Sequence, residues 1–297
     1  MHKPRHRSIQ LSQNFLRSHY LVDYLLNAAD IAADDLVWEV GPGNGMITEC
    51  LARRCRQVVA IEKDPALARR VERSLSALGN VTLIFDDFRV VELPSVAYKV
   101  FSNIPFNITT AIVTKLTAAP YPPLESYLIM QREAAARFTG QSVESVYSIL
   151  LKPWFEPTVL YHFQRSDFAP SPSVDVVMLR LRKRGPPLVV ESDAQLYRDF
   201  TTHVFTASST SMVRRLGTLL GYRRAPRDFG IRDDAKPSEV RFEQWLALFY
   251  CFKLVASKGA RQQIAGAEER LRQQQQGLQK LHRTRAPKEK PSSHGWL

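Results

Sequence analysis

From residue 35 onward, short apolar runs alternate with stretches whose apolar positions recur at helical spacing, the pattern of βαβ units that build a parallel sheet. The runs Leu36–Val40, Val58–Glu62, Val81–Phe85, Val100–Ser102 and Tyr127–Met130 are predicted strands. Between them, Met46–Arg54, Pro65–Leu78 and Ile108–Thr117 are predicted helices. Pro65 occupies a first helical position behind an acid suited to capping, which is a strong start signal. Past residue 153 the pattern changes to two β-rich segments, Thr158–Phe163 and Val174–Leu181, separated by the turn-rich Ser166–Ser173. Consecutive strands joined by a loop usually pair antiparallel. The expectation is an open parallel sheet that ends in an antiparallel hairpin.

The run Lys183-Arg-Gly-Pro-Pro187 combines charge, Gly and Pro and predicts a domain boundary, so that residues 1–182 form the first domain. Residues 183–256 read as a small all-helical domain with helices over Asp193–Phe205, Met212–Leu220 and Glu239–Val255. Phe242, Trp245, Leu246, Phe249 and Phe252 recur at helical spacing in the last of these and form a core-facing stripe. Residues 257–297 are rich in Gln, Arg and Lys. Part of them, Arg261–Leu281, is compatible with a helix, but apolar positions are too few for independent folding. Disorder, or a helix formed only on RNA, is expected there.

Composition places the chain among soluble globular proteins, with 44% hydrophobic and 24% charged residues. No apolar run approaches the roughly 20 residues of a membrane-spanning helix, and the first residues lack a secretory apolar core, so a cytoplasmic protein is expected. Cys50, Cys55 and Cys251 form neither a close metal-ligand pair nor an even disulfide set. Cys50 and Cys55 are assigned to one predicted helix as buried, idle thiols, and no metal is expected. The net charge of +12 is unevenly spread: +4 over residues 1–17, −2 over 18–182, +4 over 183–256 and +6 over 257–297. Two basic ends and a basic second domain around a near-neutral first domain suit a long polyanion gripped from several sides. Arg5, Arg7, Arg137, Arg165, Arg214, Arg215, Arg223 and Arg224 are the candidate phosphate contacts.

Four motifs carry the chemistry. Glu39-Val-Gly41-Pro-Gly43-Asn-Gly45 follows a predicted strand and opens a helix, where glycines let the backbone approach a ligand closely. The dinucleotide fingerprint would need a third glycine where this chain has Met46, which opposes a pyrophosphate and suits a nucleoside cofactor such as S-adenosylmethionine. Glu62, about twenty residues on at the end of the next strand, is placed to accept hydrogen bonds from ribose hydroxyls. In Phe85-Asp86-Asp87-Phe88, an acid side chain beside a backbone N–H can read the N6 amine and N1 of adenine, assigned to Asp87 and the Phe88 amide. The most specific motif is Ser102-Asn103-Ile104-Pro105-Phe106-Asn107. The lone pair of an exocyclic amine is delocalised into its ring, so methylating it requires acceptors around the nitrogen. The Asn103 side-chain oxygen and the Ile104 or Pro105 carbonyl can accept its two hydrogens, and Phe106 can stack the extruded base.

This arrangement resembles the rRNA adenine N6-methyltransferases, which comprise the Erm erythromycin-resistance enzymes and the small-subunit rRNA dimethyladenosine transferases. Ser12-Gln-Asn-Phe-Leu16 is similar to their opening motif, Glu39–Gly45 to their glycine loop, Asn103–Phe106 to their target-amine motif, and Phe168-Ala-Pro-Ser-Pro-Ser-Val174 to the segment closing their substrate pocket. The resemblance covers roughly residues 8–256. It implies a Rossmann-like α/β fold of class I S-adenosylmethionine-dependent methyltransferases, with Gln13, Asn14, Leu16, Glu39, Gly41, Gly43, Gly45, Glu62, Asp87, Phe88 and Asn103 at the cofactor. It also implies Asn103, Ile104, Pro105 and Phe106 at the base, and Phe168 near the methyl group.

Ile104 stands where the small-subunit enzymes usually carry Leu, and Arg241-Phe-Glu-Gln-Trp-Leu-Ala-Leu-Phe249 resembles the final helix of the short C-terminal domain in Erm proteins. The resemblance therefore implies a monomer acting on protein-free 23S rRNA, methylating one adenosine in the macrolide site and conferring macrolide, lincosamide and streptogramin B resistance. The competing readings are a 16S rRNA adenine dimethyltransferase, a small-molecule methyltransferase, and a non-catalytic RNA-binding or ribosome-assembly protein on the same fold.

Overall fold

The structure is a computed structural model that describes residues 14–206, 212–221 and 225–274. Gln13, Arg5, Arg7, Arg223 and Arg224 lie outside the described residues, as does the chain beyond residue 274. By contact density the chain divides into two compact units, Met1–Leu188 and Val189–Leu297.

The first unit begins with β1 (Phe15–Leu16) and α1 (His19–Ala28), whose Ser18 cap accepts from the Leu21 amide at 3.3 Å. There follow β2 (Leu36–Val40), α2 (Met46–Ala52), β3 (Gln57–Ile61), α3 (Pro65–Leu75), β4 (Val81–Ile84), β5 (Lys99–Asn103), α4 (Thr109–Thr117) and β6 (Glu125–Gln131). The chain then forms α5 (Arg132–Thr139), α6 (Val146–Leu151), β7 (Phe155–His162), β8 (Phe168–Ala169) and β9 (Val176–Lys183). Asp64 caps α3 by accepting from the Ala66 and Leu67 amides, with Pro65 in the first turn.

Seven strands form one sheet in the order β4-β3-β2-β5-β6-β9-β7. Pairing is parallel from β4 through β6, and β9 pairs antiparallel with both β6 and β7. The predicted parallel sheet and closing hairpin are therefore present, with β9 inserted between β6 and β7. Each central strand is buried on both faces. Leu36, Trp38, Val40, Val100, Leu128 and Met130 face α4 and α5, whereas Val37, Phe101, Tyr127 and Ile129 face α1 and α2. A separate two-stranded pairing joins β1 to β8, with Leu16 opposite Phe168.

The second unit contains α7 (Ala194–Thr206), α8 (Met212–Leu220), α9 (Ala225–Asp228), α10 (Phe242–Val255) and α11 (Lys258–Ile264). Phe242, Trp245, Phe249 and Phe252 of the expected stripe are buried; Leu246 is only partly so, and Leu248 supplies the fifth buried position. Tyr197 meets Phe249 edge-on at 5.0 Å and Phe200 packs on Phe252 at 4.8 Å. Residues 257–274, expected to lie outside the folded domain, belong to this core. Ala260, Ile264 and Ala267 are buried, and the Asp199 carboxylate accepts from the Gly266 and Glu268 amides at 3.1 and 3.0 Å. A few well-placed small and apolar residues, fastened by one buried acid from α7, replace the long apolar stripe that the sequence lacks.

Candidate active site

The sheet reverses its winding between β2 and β5, the place where open α/β sheets bind ligands beyond the carboxyl ends of their strands. Pairing between these strands covers only Val37 with Lys99 and Trp38 with Val100, so beyond Trp38 they diverge. The Ser102 hydroxyl clips the opening by donating to the Val40 carbonyl at 2.6 Å, and it also accepts from the Val40 amide at 3.2 Å. Two loops leave the crevice: Gly41–Gly45 after β2 and Ile104–Phe106 after β5. They approach each other at Gly41, where an added Cβ would lie 3.7 Å from the Pro105 ring.

Gly41, Gly43 and Gly45 all adopt positive φ, at 74°, 58° and 86°. The requirement is strictest at Gly43, where a Cβ would lie 2.4 Å from Cε1 of Phe15. Phe15 of the opening motif is thus a wall of the glycine loop. Leu16 beside it is buried, so any part it plays at a cofactor belongs to its backbone.

Two buried carboxylates flank the loop. Glu39 accepts from the Thr48 hydroxyl at 2.6 Å through one oxygen, while its other oxygen is buried without a partner among the described residues. Burial pushes its carboxyl up to about 8, and Glu62 nearby adds to the rise. Glu62 accepts from the Asp64 amide at 2.8 Å, and its second oxygen is likewise buried and unpartnered. Burial also raises the Glu62 carboxyl, opposed by backbone donors that include Gly43. An unpaired buried carboxylate oxygen is costly, and a ligand bringing hydroxyl donors to it removes that cost. A ribose brings such donors.

The Asp87 carboxylate is not left free in this way. It pairs with Arg89 and with Lys63 at 2.8 Å, and these two cations hold it well below the usual carboxylate range. An adenine amine would share Asp87 with them. Phe88 is buried, and Lys115 of α4 fastens its loop by donating to the Phe88 and Val91 carbonyls with its ammonium 5.0 Å from the Phe88 ring. Neither Lys63, Arg89 nor Lys115 was singled out from the sequence, since a surface charge gives no sign of its partner. Lys63 and Arg89 do stand within two residues of assigned acids.

Asn103 ends β5, and its side-chain amide donates to the Asn14 carbonyl at 2.7 Å. Of the carbonyls that follow, Pro105 accepts from the Ile108 amide at 3.2 Å and Phe106 from the Thr109 hydroxyl at 3.1 Å. Ile104 is fixed by its own amide, which donates to Ile129 at 3.2 Å, and its side chain is buried. Phe106 is partly buried against the core cluster that contains Phe168. Phe168 itself is 2% exposed and packs on Phe163 at 5.2 Å, so it offers no free face and supports the wall behind Leu16.

The candidate phosphate contacts are dispersed. Arg137 is exposed on α5 with its guanidinium 6.0 Å from the Tyr147 ring, and Arg165 shares Asp175 with Arg132. In the second unit Arg214 is exposed and Arg215 partly buried. Cys50 and Cys55 are buried, with burial pushing both thiols up to about 11. Cys55 lies beyond the end of α2 rather than within it, because the helix stops at Ala52.

The family model for ribosomal RNA adenine dimethylase matches residues 5–254. The chain belongs to this family. Its members include Erm-type methyltransferases, and the cofactor is S-adenosylmethionine. The chain is 32% identical over 244 residues to an rRNA adenine N-6-methyltransferase of Saccharopolyspora erythraea, covering 81% of this chain and 64% of that protein. It is 30% identical over 250 residues to ribosomal RNA small subunit methyltransferase A of Lactococcus lactis, covering 80% of each. Among solved structures, 23S rRNA methyltransferase ErmE superposes with a TM-score of 0.74 at 32% identity, over 81% of this chain and all of that one. A dimethyladenosine transferase from Plasmodium falciparum shares the fold with a TM-score of 0.63 at 19% identity, over 80% of this chain and 97% of that one. The orphaned Glu62 oxygen and the glycine loop fit the family's cofactor.

Proposed function

We propose that the protein methylates N6 of an adenosine in ribosomal RNA, and that its target lies in 23S rRNA. The observation that carries the reading is the Asn103 amide. Its nitrogen is spent on the Asn14 carbonyl, which leaves the side-chain oxygen as an acceptor at the mouth of the crevice. The Ile104 or Pro105 carbonyl supplies the second acceptor. The two oxygens accept hydrogen bonds from the amine's two N–H groups, draw the nitrogen toward tetrahedral geometry and aim its lone pair. Phe106 holds the base plane. The glycine loop and Glu62 would hold S-adenosylmethionine, which would supply an electrophilic methyl group from its sulfonium and depart as the neutral thioether. No side chain need act as a base first, since the amine proton becomes acidic only after the nitrogen is alkylated. The rate arises from positioning and from acceptors that bind the transition state better than the ground state.

Support for the large subunit comes from Ile104, from the helix that begins at Phe242, and from the likeness to ErmE in both sequence and fold. Macrolide, lincosamide and streptogramin B resistance is the phenotype that follows. The test is transfer of labelled methyl from S-adenosylmethionine to protein-free 23S rRNA and to small-subunit particles. Preference for 23S rRNA is expected, and preference for the small subunit would move the target to 16S rRNA. Growth of a susceptible bacterium on a macrolide, with and without the gene, checks the phenotype.

A further inference from the structure

An aromatic row runs across the first unit from solvent to the wall of the crevice, and the reaction proposed above does not use its outer members. Tyr20 and Tyr24 stand one turn apart on α1, so they share a face, and they are 83% and 52% exposed. Tyr24 meets Tyr161 of β7 edge-on at 5.9 Å, Tyr161 meets Phe163 at 4.8 Å, and Phe163 meets the buried Phe168 at 5.2 Å. Single exposed aromatics are ordinary on a protein surface; a contiguous row that leads to a substrate site calls for an occupant.

Strand register relates this row to the reacting amine. Asn103 pairs with Ile129, Ile129 with Met178 and Met178 with Tyr161, so the four residues form one line across the sheet. Residues directly opposite in neighbouring strands project from the same face, which places Tyr161 on the Asn103 side, about 14 Å away at three strand spacings. Charge beside the row is mixed, with Asp23 on α1 and Asp167 near Tyr161 set against a cation at the helix start. Arg17 is exposed beside Ser18, the cap of α1, and its amide donates to the Asp167 carbonyl at 3.0 Å.

We infer that Tyr20 and Tyr24 form a stacking platform for an unpaired RNA base that neighbours the target adenosine, with Tyr161 and Phe163 holding the platform against the crevice wall. Stacking on an aromatic ring is tolerant of base identity and selects for an unstacked strand. The platform would therefore make the enzyme prefer a target adenosine whose neighbours are unpaired. The inference rests on the reading of the protein as an rRNA methyltransferase.

The test uses the full chain, S-adenosylmethionine and an rRNA hairpin carrying 2-aminopurine within three nucleotides of the target adenosine, in variants Tyr20→Ala, Tyr24→Ala and Tyr24→Phe. Binding to the wild type is expected to quench the probe. Tyr20→Ala and Tyr24→Ala should abolish the quench and raise KM for the RNA about tenfold, with kcat and cofactor affinity unchanged. Tyr24→Phe should behave as wild type, and Tyr20→Ala is the variant free of folding effects because that side chain lies almost wholly in solvent. An unchanged KM and quench in both alanine variants, while the wild type still methylates the hairpin, would overturn the platform and leave the proposed activity standing. Failure of the wild type to methylate any rRNA would overturn both.

Discussion

The amide of Asn103 donates to the carbonyl of Asn14 at 2.7 Å, across 89 positions of sequence. That bond engages the nitrogen of the amide and leaves its oxygen to act as an acceptor. If the oxygen it leaves available accepts a hydrogen from the target amine, Asn103→Ala removes an acceptor used in the transition state. We expect kcat to fall 10²- to 10³-fold, roughly 2.7–4 kcal/mol, with the KM for RNA little changed. Single-turnover methyl transfer at saturating cofactor checks this, and a variant that retains wild-type kcat would remove Asn103 from the reaction.

Glu62 should act on the cofactor and not on the RNA. One of its oxygens is buried with no partner among the described residues, and replacing the side chain by alanine deletes that acceptor. Glu62→Ala is expected to weaken S-adenosylmethionine binding by about 1.5–3 kcal/mol, roughly ten- to a hundredfold, while RNA affinity stays unchanged. Isothermal titration with each ligand separates the two.

Glu39 should leave a mark on the pH dependence of stability. Its carboxyl is raised from 4.5 to about 8 by burial, so the folded state binds its proton more tightly than the unfolded state does. The stability this contributes is full below about 4.5 and is lost as pH rises through about 8. Glu39→Gln keeps an acceptor for Thr48 and cannot ionise. The melting temperature of the variant relative to wild type should therefore climb between pH 5 and 8.5. A difference independent of pH would show that Glu39 is not protonated in the fold.

Gly43→Ala meets two obstacles, a left-handed backbone and the Phe15 ring. A loss of about 1–2 kcal/mol in stability is expected from the backbone conformation alone, with weaker cofactor binding. In the double variant Phe15→Ala/Gly43→Ala the steric part should be recovered, giving a non-additive cycle in chemical denaturation. Strict additivity would mean that ring and loop are uncoupled.

Much of this was readable from the sequence because it is local. The strand Leu36–Val40 has the expected limits, and Pro65 behind Asp64 starts a helix as expected. The glycine loop and Asn103–Phe106 follow strands β2 and β5, where the chemistry needs them. What escaped depends on contacts remote in sequence. Helix α1 has its apolar face at Val22, Leu25 and Leu26, ahead of the alternating region that drew attention. Helices α5 and α6 span only eight and six residues, too short for a helical period to mark them in the sequence. That Lys63, 24 positions ahead of Asp87, reaches its carboxylate is likewise not visible in the sequence. The fold beyond residue 256 was missed because Asp199 fastens it from a helix about 67 residues away. Phe168 reads as a pocket aromatic in sequence and is a buried support in the structure.

The central claim is that the crevice beside Asn103 accepts an adenine amine of ribosomal RNA. It is tested most directly by incubating the protein with S-adenosylmethionine and 23S rRNA transcripts and digesting the product to nucleosides for mass spectrometry. The account requires N6-methylated adenosine at one position, present with the wild type and lost with Asn103→Ala. Methyl groups on any other nucleoside or ring position, or none at all, would contradict it.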